Sequence, residues 1–106
     1  MGLNIWIDID DTICDYIGSS MLYEQAIPNN RRIGIVNKLY DQGHHITLWT
    51  GRGTLSGIDW YDLTKQQVDA WGVKYHELKM GKPAFDILVD DKALTNLEQL
   101  ANKLNY

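Results

Sequence analysis

Several things are scarce in this 106-residue chain, and each scarcity removes a class of explanation. It has one cysteine, Cys14, so an intramolecular disulfide and a cysteine zinc cluster are both excluded, and a reducing, cytoplasmic setting is expected. It has no block of Lys/Arg. The formal charge of −4 is spread along the chain, so nucleic acid is not expected as the main partner. No apolar run approaches the roughly 20 residues of a membrane span, and Trp6 stands where a myristoylation signal requires Ser or Thr. No membrane partner is expected. Internal repeats, low-complexity stretches and linkers are also absent.

What is present is a globular composition. Four tryptophans in a chain of this length, with an ordinary apolar fraction, indicate a packed core. The length suits one domain, residues 1–106, with little room for a second substrate-binding unit.

The hydrophobic pattern alternates between two periods. Leu3–Ile9 is a short isoleucine-rich run that meets acids at its end, the mark of a buried parallel strand. From Asn30 to Gln42, Ile33, Val36, Leu39 and Tyr40 recur at helical spacing, with Asn29 or Asn30 as N-cap and Gly43 as the stop. His45–Trp49 reads as a second buried strand, ending in the polar turn Thr50-Gly51-Arg52-Gly53. Trp60, Leu63, Val68 and Trp71 share a helix face between Asp59 and Trp71, and a short strand is expected over Val73–His76. After the turn Lys79–Pro83 comes Ile87-Leu88-Val89, read as a third buried strand ending in Asp90-Asp91, and a last helix over Ala93–Leu104. Strands alternating with helices predict a single three-layer, Rossmann-like α/β domain with a parallel sheet. In such sheets ligands bind at the carboxyl edge of the strands.

Three strand ends would then meet at one crevice: Asp8-Ile9-Asp10-Asp11-Thr12, Thr50-Gly51-Arg52 and Asp90-Asp91. Carboxylates crowded together repel, and a hard divalent cation relieves them; Mg2+ suits a few carboxylates, waters and a substrate phosphate. With that repulsion neutralised, Asp8 can attack phosphorus in line, and Asp10, two residues on, can protonate the leaving oxygen and later activate water. Thr50 and Lys82 would hold the non-bridging phosphoryl oxygens. Thr12, Gly51 and Arg52 are the substrate-binding candidates. Arg52 is either a two-pronged clamp for phosphate or carboxylate or a plain surface charge. Lys79 competes with Lys82, which Gly81 and Pro83 favour by fixing the turn around it.

These segments resemble the four motifs of the haloacid dehalogenase superfamily. Asp8-Ile9-Asp10-Asp11-Thr12 matches the first, Leu48-Trp49-Thr50 the second, Lys82 the third and Val89-Asp90-Asp91 the fourth, in order over nearly the whole chain. The resemblance implies Asp8 and Asp90 on Mg2+ by side chain, Asp10 by its backbone carbonyl and Asp91 near the metal. An acid at Asp10 is similar to phosphatases and phosphotransferases of the superfamily rather than its dehalogenases and ATPases. The gaps between motifs leave no room for a cap domain, as in capless members, and such members act on large substrates or shield the site with a neighbouring subunit. The second alternative would make the chain a homo-oligomer; the first would not. A narrower likeness is to small phosphatase-like proteins encoded with capsule or surface-polysaccharide genes.

The expectation is a magnesium-dependent phosphomonoester hydrolase that forms an aspartyl-phosphate on Asp8, acting on a small sugar or metabolite phosphate. Two other readings stand beside it: a receiver-like phosphoacceptor module, and a non-catalytic domain of a larger assembly. Elsewhere the residues read as structural. His44 and His45 follow a helix-stopping glycine away from the catalytic edge, and His76 is a strand-end histidine nearer that edge. Cys14 is a small packing residue, and Trp60 and Trp71 belong to the core. Asp15–Ile27, with Tyr16 and Tyr23, forms the flap over the site.

Overall fold

The computed structural model describes residues 2–18 and 22–105. Strand β1 (Asn4–Asp8) pairs in parallel with β4 (His45–Trp49), and β4 pairs in parallel with β5 (Glu77–Lys79), giving the order β1-β4-β5. Between β1 and β4 lie a two-residue antiparallel pair, β2 (Cys14–Asp15) with β3 (Ile27–Pro28), and the helix α1 (Asn30–Asp41). Helices α2 (Tyr61–Ala70) and α3 (Leu97–Lys103) complete a small α/β fold with a parallel three-stranded sheet. Among the described residues no helix is long and apolar enough to cross a membrane.

The elements form where local chemistry allows. Asn29 caps α1 by accepting a hydrogen bond from the Arg32 amide at 3.1 Å, and Gly43 (φ 94°) takes the left-handed conformation that ends it. The buried face of α1 is Ile33, Val36 and Leu39, as the spacing predicts. It packs on β4 and α3, and its side chains share one apolar cluster with Ile7, Ile9, Ile13, Ile46, Leu48, Val68 and Leu97.

Three expectations are corrected. The strand over Val73–His76 instead starts at Glu77. Residues 73–75 are pinned to the helices: the Val73 amide donates to Val68 O, the Lys74 amide to Asn37 Oδ1, and the Tyr75 hydroxyl to Asp69. His76 therefore lies at the amino end of the sheet, away from the carboxyl edge. Its Nδ1 accepts from the Ile46 amide at 3.0 Å, and its ring stacks with those of Tyr40 and His45.

The last helix starts four residues later than expected, at Leu97. Asn96 Oδ1 accepts from the Gln99 amide at 2.9 Å, while Gln99 Oε1 accepts from the Thr95 amide, a reciprocal cap close to a capping box. The spacing Asn-x-x-Gln was the local signal for that boundary.

The third correction is the largest. Ile87-Leu88-Val89 forms no strand, and all thirteen residues from 83 to 95 are exposed, Ile87 at 82% and Val89 at 93%. Three apolar residues cannot hold an extended ladder unaided, because a strand needs a neighbour's amides and carbonyls and a covered face. The segment stands off the body as an arm, and β1, expected as a buried strand, is an edge strand of the sheet.

Candidate active site at the carboxyl edge of the sheet

The site begins where β1 ends. Asp11 has φ 62°, a left-handed turn that aspartate tolerates better than most residues, and it folds the chain back so that the amides of Thr12 and Ile13 both donate to Ile9 O. This return brings the Thr12 hydroxyl to Asp8 Oδ2 at 3.2 Å. On the other carboxylate oxygen, Oδ1, sits Lys82 Nζ at 3.3 Å.

Lys82 is delivered by the turn after β5. The Thr50 amide donates to Lys79 O and the Lys82 amide donates to Thr50 O, each at 3.0 Å, so the two loops are laced together at the sheet edge. The Thr54 hydroxyl adds a bond to Lys82 O at 2.8 Å. Gly51 passes close beneath: a Cβ there would lie 3.3 Å from Lys82 O, tighter than an ordinary contact. Lys79 points elsewhere, its ammonium over the Trp6 ring and near Glu77. Of the two competing lysines, Lys82 is the one on Asp8.

Burial lifts the pKa of the Asp8 carboxyl above the usual aspartate value; the attraction and hydrogen bond of Lys82, the Ile9 amide and Thr12 all pull against that without cancelling it. Lys82 itself is only partly exposed, lying against the rings of Trp49 and Phe85.

Asp10 belongs to a second, deeper network. Arg52 grips it with Nε on Oδ2 at 3.0 Å and Nη2 on Oδ1 at 2.8 Å, and the Tyr16 hydroxyl also donates to Oδ1. The remaining donors of Arg52 go to Thr64 Oγ1 (3.1 Å), Gln67 Oε1 (2.6 Å) and the Tyr16 oxygen (3.4 Å), and its plane lies over the Tyr23 ring. Gln67 in turn donates to Tyr23 O at 2.6 Å. All five N–H groups of the guanidinium are thus engaged, and Arg52 is only 2% exposed. Its burial works against the positive charge, but Asp10 and Tyr16 more than offset this and raise its pKa.

The surface-charge reading of Arg52 therefore fails, and the two-pronged grip on a carboxylate is made within the chain, on Asp10. Arg52 positions Asp10 and ties the flap to α2. Neither flap tyrosine was assigned a role in holding Asp10, and the pairing of Arg52 with Thr64 and Gln67 joins residues 12 and 15 positions apart. The only local hint was that Thr64 and Gln67 stand three apart on a helix and so share a face. Residues 19–21 of the expected flap lie outside the described residues.

Cys14 is buried against this network, its thiol near Asp10 Oδ1, and burial followed by the negative charge of Asp10 pushes its pKa up to about 12. It is an inert packing thiol at neutral pH. Thr50 is buried too, and its Oγ1 accepts from the Arg52 amide at 3.1 Å, so it shapes the second loop.

The expected third strand end is the part that the fold does not bring in. Asp90 and Asp91 lie on the exposed arm, where Asp90 Oδ1 accepts from the Lys92 amide at 2.8 Å, a local turn contact. Among the described residues no three of His, Cys, Asp and Glu gather closely enough to hold a metal ion. The donor set at the edge fits magnesium only in its simplest form. Asp8 offers a carboxylate whose neighbours are Lys82 and Thr12, while both carboxylate oxygens of Asp10 are taken, leaving its backbone carbonyl.

A scan against models of known families finds no match, and a search of curated proteins finds none. Among solved structures the chain is similar to a crystal structure of an MCSG target from Vibrio cholerae, at 20% identity, with 97% of each chain covered and a TM-score of 0.78. That likeness establishes a shared fold.

Proposed function

We propose that the chain is a phosphomonoester hydrolase of haloacid dehalogenase type, a Rossmann-like domain without a cap, in which Asp8 accepts the phosphoryl group. The observation that carries this reading is the pairing of Asp8 with Lys82 at 3.3 Å on the carboxyl edge of a parallel sheet, with the Thr12 hydroxyl on Asp8 and the Thr50 carbonyl on the Lys82 amide. An ammonium next to a half-buried carboxylate draws a phosphate dianion to the one nucleophile that faces it. The substrate class we assign is a small sugar or metabolite phosphate.

In the first step an Asp8 oxygen bonds to phosphorus as the bond to the ester oxygen breaks, and that oxygen leaves with a proton from Asp10. In the second, water attacks the phosphorus of the acyl phosphate, gives a proton to Asp10, and restores the Asp8 carboxylate with release of inorganic phosphate. Lys82 holds the non-bridging oxygens in both steps. Magnesium, when bound by Asp8 and the Asp10 carbonyl, supplies neutralisation of the phosphate charge. Asp10 takes part only after swinging off Arg52, because both of its oxygens are occupied in the arrangement described. Arg52 and Tyr16 thus park the proton-transfer group and return it to one position.

The test is inorganic-phosphate release from a panel of sugar phosphates, nucleotides and simple phosphomonoesters, with and without magnesium, for the unmodified chain and Asp8→Asn. Release that requires Asp8 and magnesium is the expected result. Undiminished release by a purified, folded Asp8→Asn variant rejects the mechanism.

A further inference from the structure

Two features of the molecule are each incomplete and match one another. The first is the outer edge of β1. Among the described residues no strand pairs with it, although β1 is the strand that ends in Asp8, and Leu3 and Trp6 beside it are about half exposed. A free, five-residue parallel edge with apolar flanks is a template for strand addition.

The second is the arm. Its ends are fixed: Lys82 bonds to Thr50 O at one end, and at the other Asn96 caps α3 while Leu97 is buried in the core. Between them Ile87, Leu88 and Val89 stand in solvent, and Phe85 and Leu94 are a little under half exposed. An apolar run held away from its own body, on a molecule with a bare sheet edge, is the arrangement seen where identical elements are exchanged between copies.

The register is specified by chemistry. Laid parallel to β1 with Asp90 beside Asp8, the segment sets Val89 beside the buried Ile7 and Ile87 beside the half-buried Ile5, with Leu88 beside Trp6 and Asp86 beside Asn4. Apolar meets apolar on the inner face, and a slip of one residue would put Asp90 against Ile7. The charges agree as well. Lys82 Nζ stands on Asp8 at the carboxyl end of the sheet, where Asp90 and Asp91 would arrive.

We propose that residues 86–90 of a second copy of this chain add as a parallel strand to the free edge of β1, reciprocally, so that each copy carries its Asp90 and Asp91 to the Asp8 of the other. The site is then built between two copies, and its third and fourth carboxylates come from the partner. The inference rests on the geometry of edge and arm and stands whether or not the chain hydrolyses phosphoesters.

A cross-linking experiment separates this exchange from the same segment folding onto its own edge. Asn4 and Asp86 are exposed, lie outside the Asp8 site and become neighbours in the proposed register, and the native Cys14 is buried and unreactive. Purified Asn4→Cys and Asp86→Cys chains are unfolded and refolded together, then treated with a short thiol-specific cross-linker. The expected result is a covalent dimer from the mixture and none from the unmodified chain. The Asn4→Cys/Asp86→Cys double variant should likewise link between chains. In light scattering the unmodified chain should be dimeric, and Leu88→Asp should be monomeric with its circular dichroism retained. A double variant that links only within one chain overturns the proposal, as does an unmodified chain that is monomeric at every concentration tested.

Discussion

Arg52 shows at the scale of a residue how a charge becomes structural. It makes five hydrogen bonds, and among the described residues Asp10 is the acid paired with it, so removing it would leave a carboxylate, a glutamine and two hydroxyls short of partners. We expect Arg52→Met to lower stability by about 3–5 kcal/mol, the usual cost of breaking one side of a buried pair, read from the denaturant midpoint. The Arg52→Met/Asp10→Asn double variant should recover part of the loss, and strict additivity would show that the two residues are not coupled. Asp8 behaves in the opposite sense. Its carboxyl has a raised pKa in the fold, so the folded state binds its proton more readily than the unfolded chain and ionisation costs stability. That cost is complete above the folded-state pKa and fades as pH falls through it towards the ordinary aspartate value of 3.8. Asp8→Asn should therefore melt higher than the unmodified chain at neutral pH, with the difference shrinking on acidification over that window. A difference that grows on acidification would show that the sign is wrong. The sequence made both residues visible as polar groups at strand ends. It did not show that Arg52 points inward, because that depends on Thr64 and Gln67 arriving from α2.

At the scale of elements, the turn after β4 is as constrained as the strands. Gly53 has φ 81°, where side chains are rarely accommodated, and a Cβ on it would overlap the carbonyl oxygen of Ile58. Gly53→Ala should cost at least about 1–3 kcal/mol from backbone strain and displace the loop that carries Arg52 into place. A denaturation midpoint equal to that of the unmodified chain would contradict this. The helix α1 and the strand β4 follow the periodicity of the sequence within a residue, because caps and buried faces are local properties; α2 keeps its expected bounds within two residues, but it buries Thr64 and Val68, and Trp60 and Trp71, expected in the core, are only half-buried. The elements that departed did so through side-chain contacts that periodicity does not show, some close in sequence and some far along the chain. Residues 73–75 were held by Asn37 and Asp69, and the short β2–β3 pair that anchors the flap joins two-residue segments with no periodicity to read.

For the molecule as a whole, the parallel α/β plan and the position of the polar edge were legible early. Apolar runs ending in acids or polar turns need only burial and short connections to line up their ends, and both are written into the order of residues. So were Asp8, Asp10, Thr50 and Lys82 as a group, since three of the four follow strands that the pattern marks. The capture of Asp10 by Arg52 and Tyr16 and the exposure of Ile87-Leu88-Val89 were decided only by the tertiary structure. The physical reason is the same in each case. A sequence states which side chains prefer burial or charge pairing, but a strand, an ion pair or a buried cation exists only when a partner is brought within a few ångströms, and those partners are set by the whole fold. The arm carries a strand's sequence without its neighbour, and β1 offers a neighbour's edge without its strand.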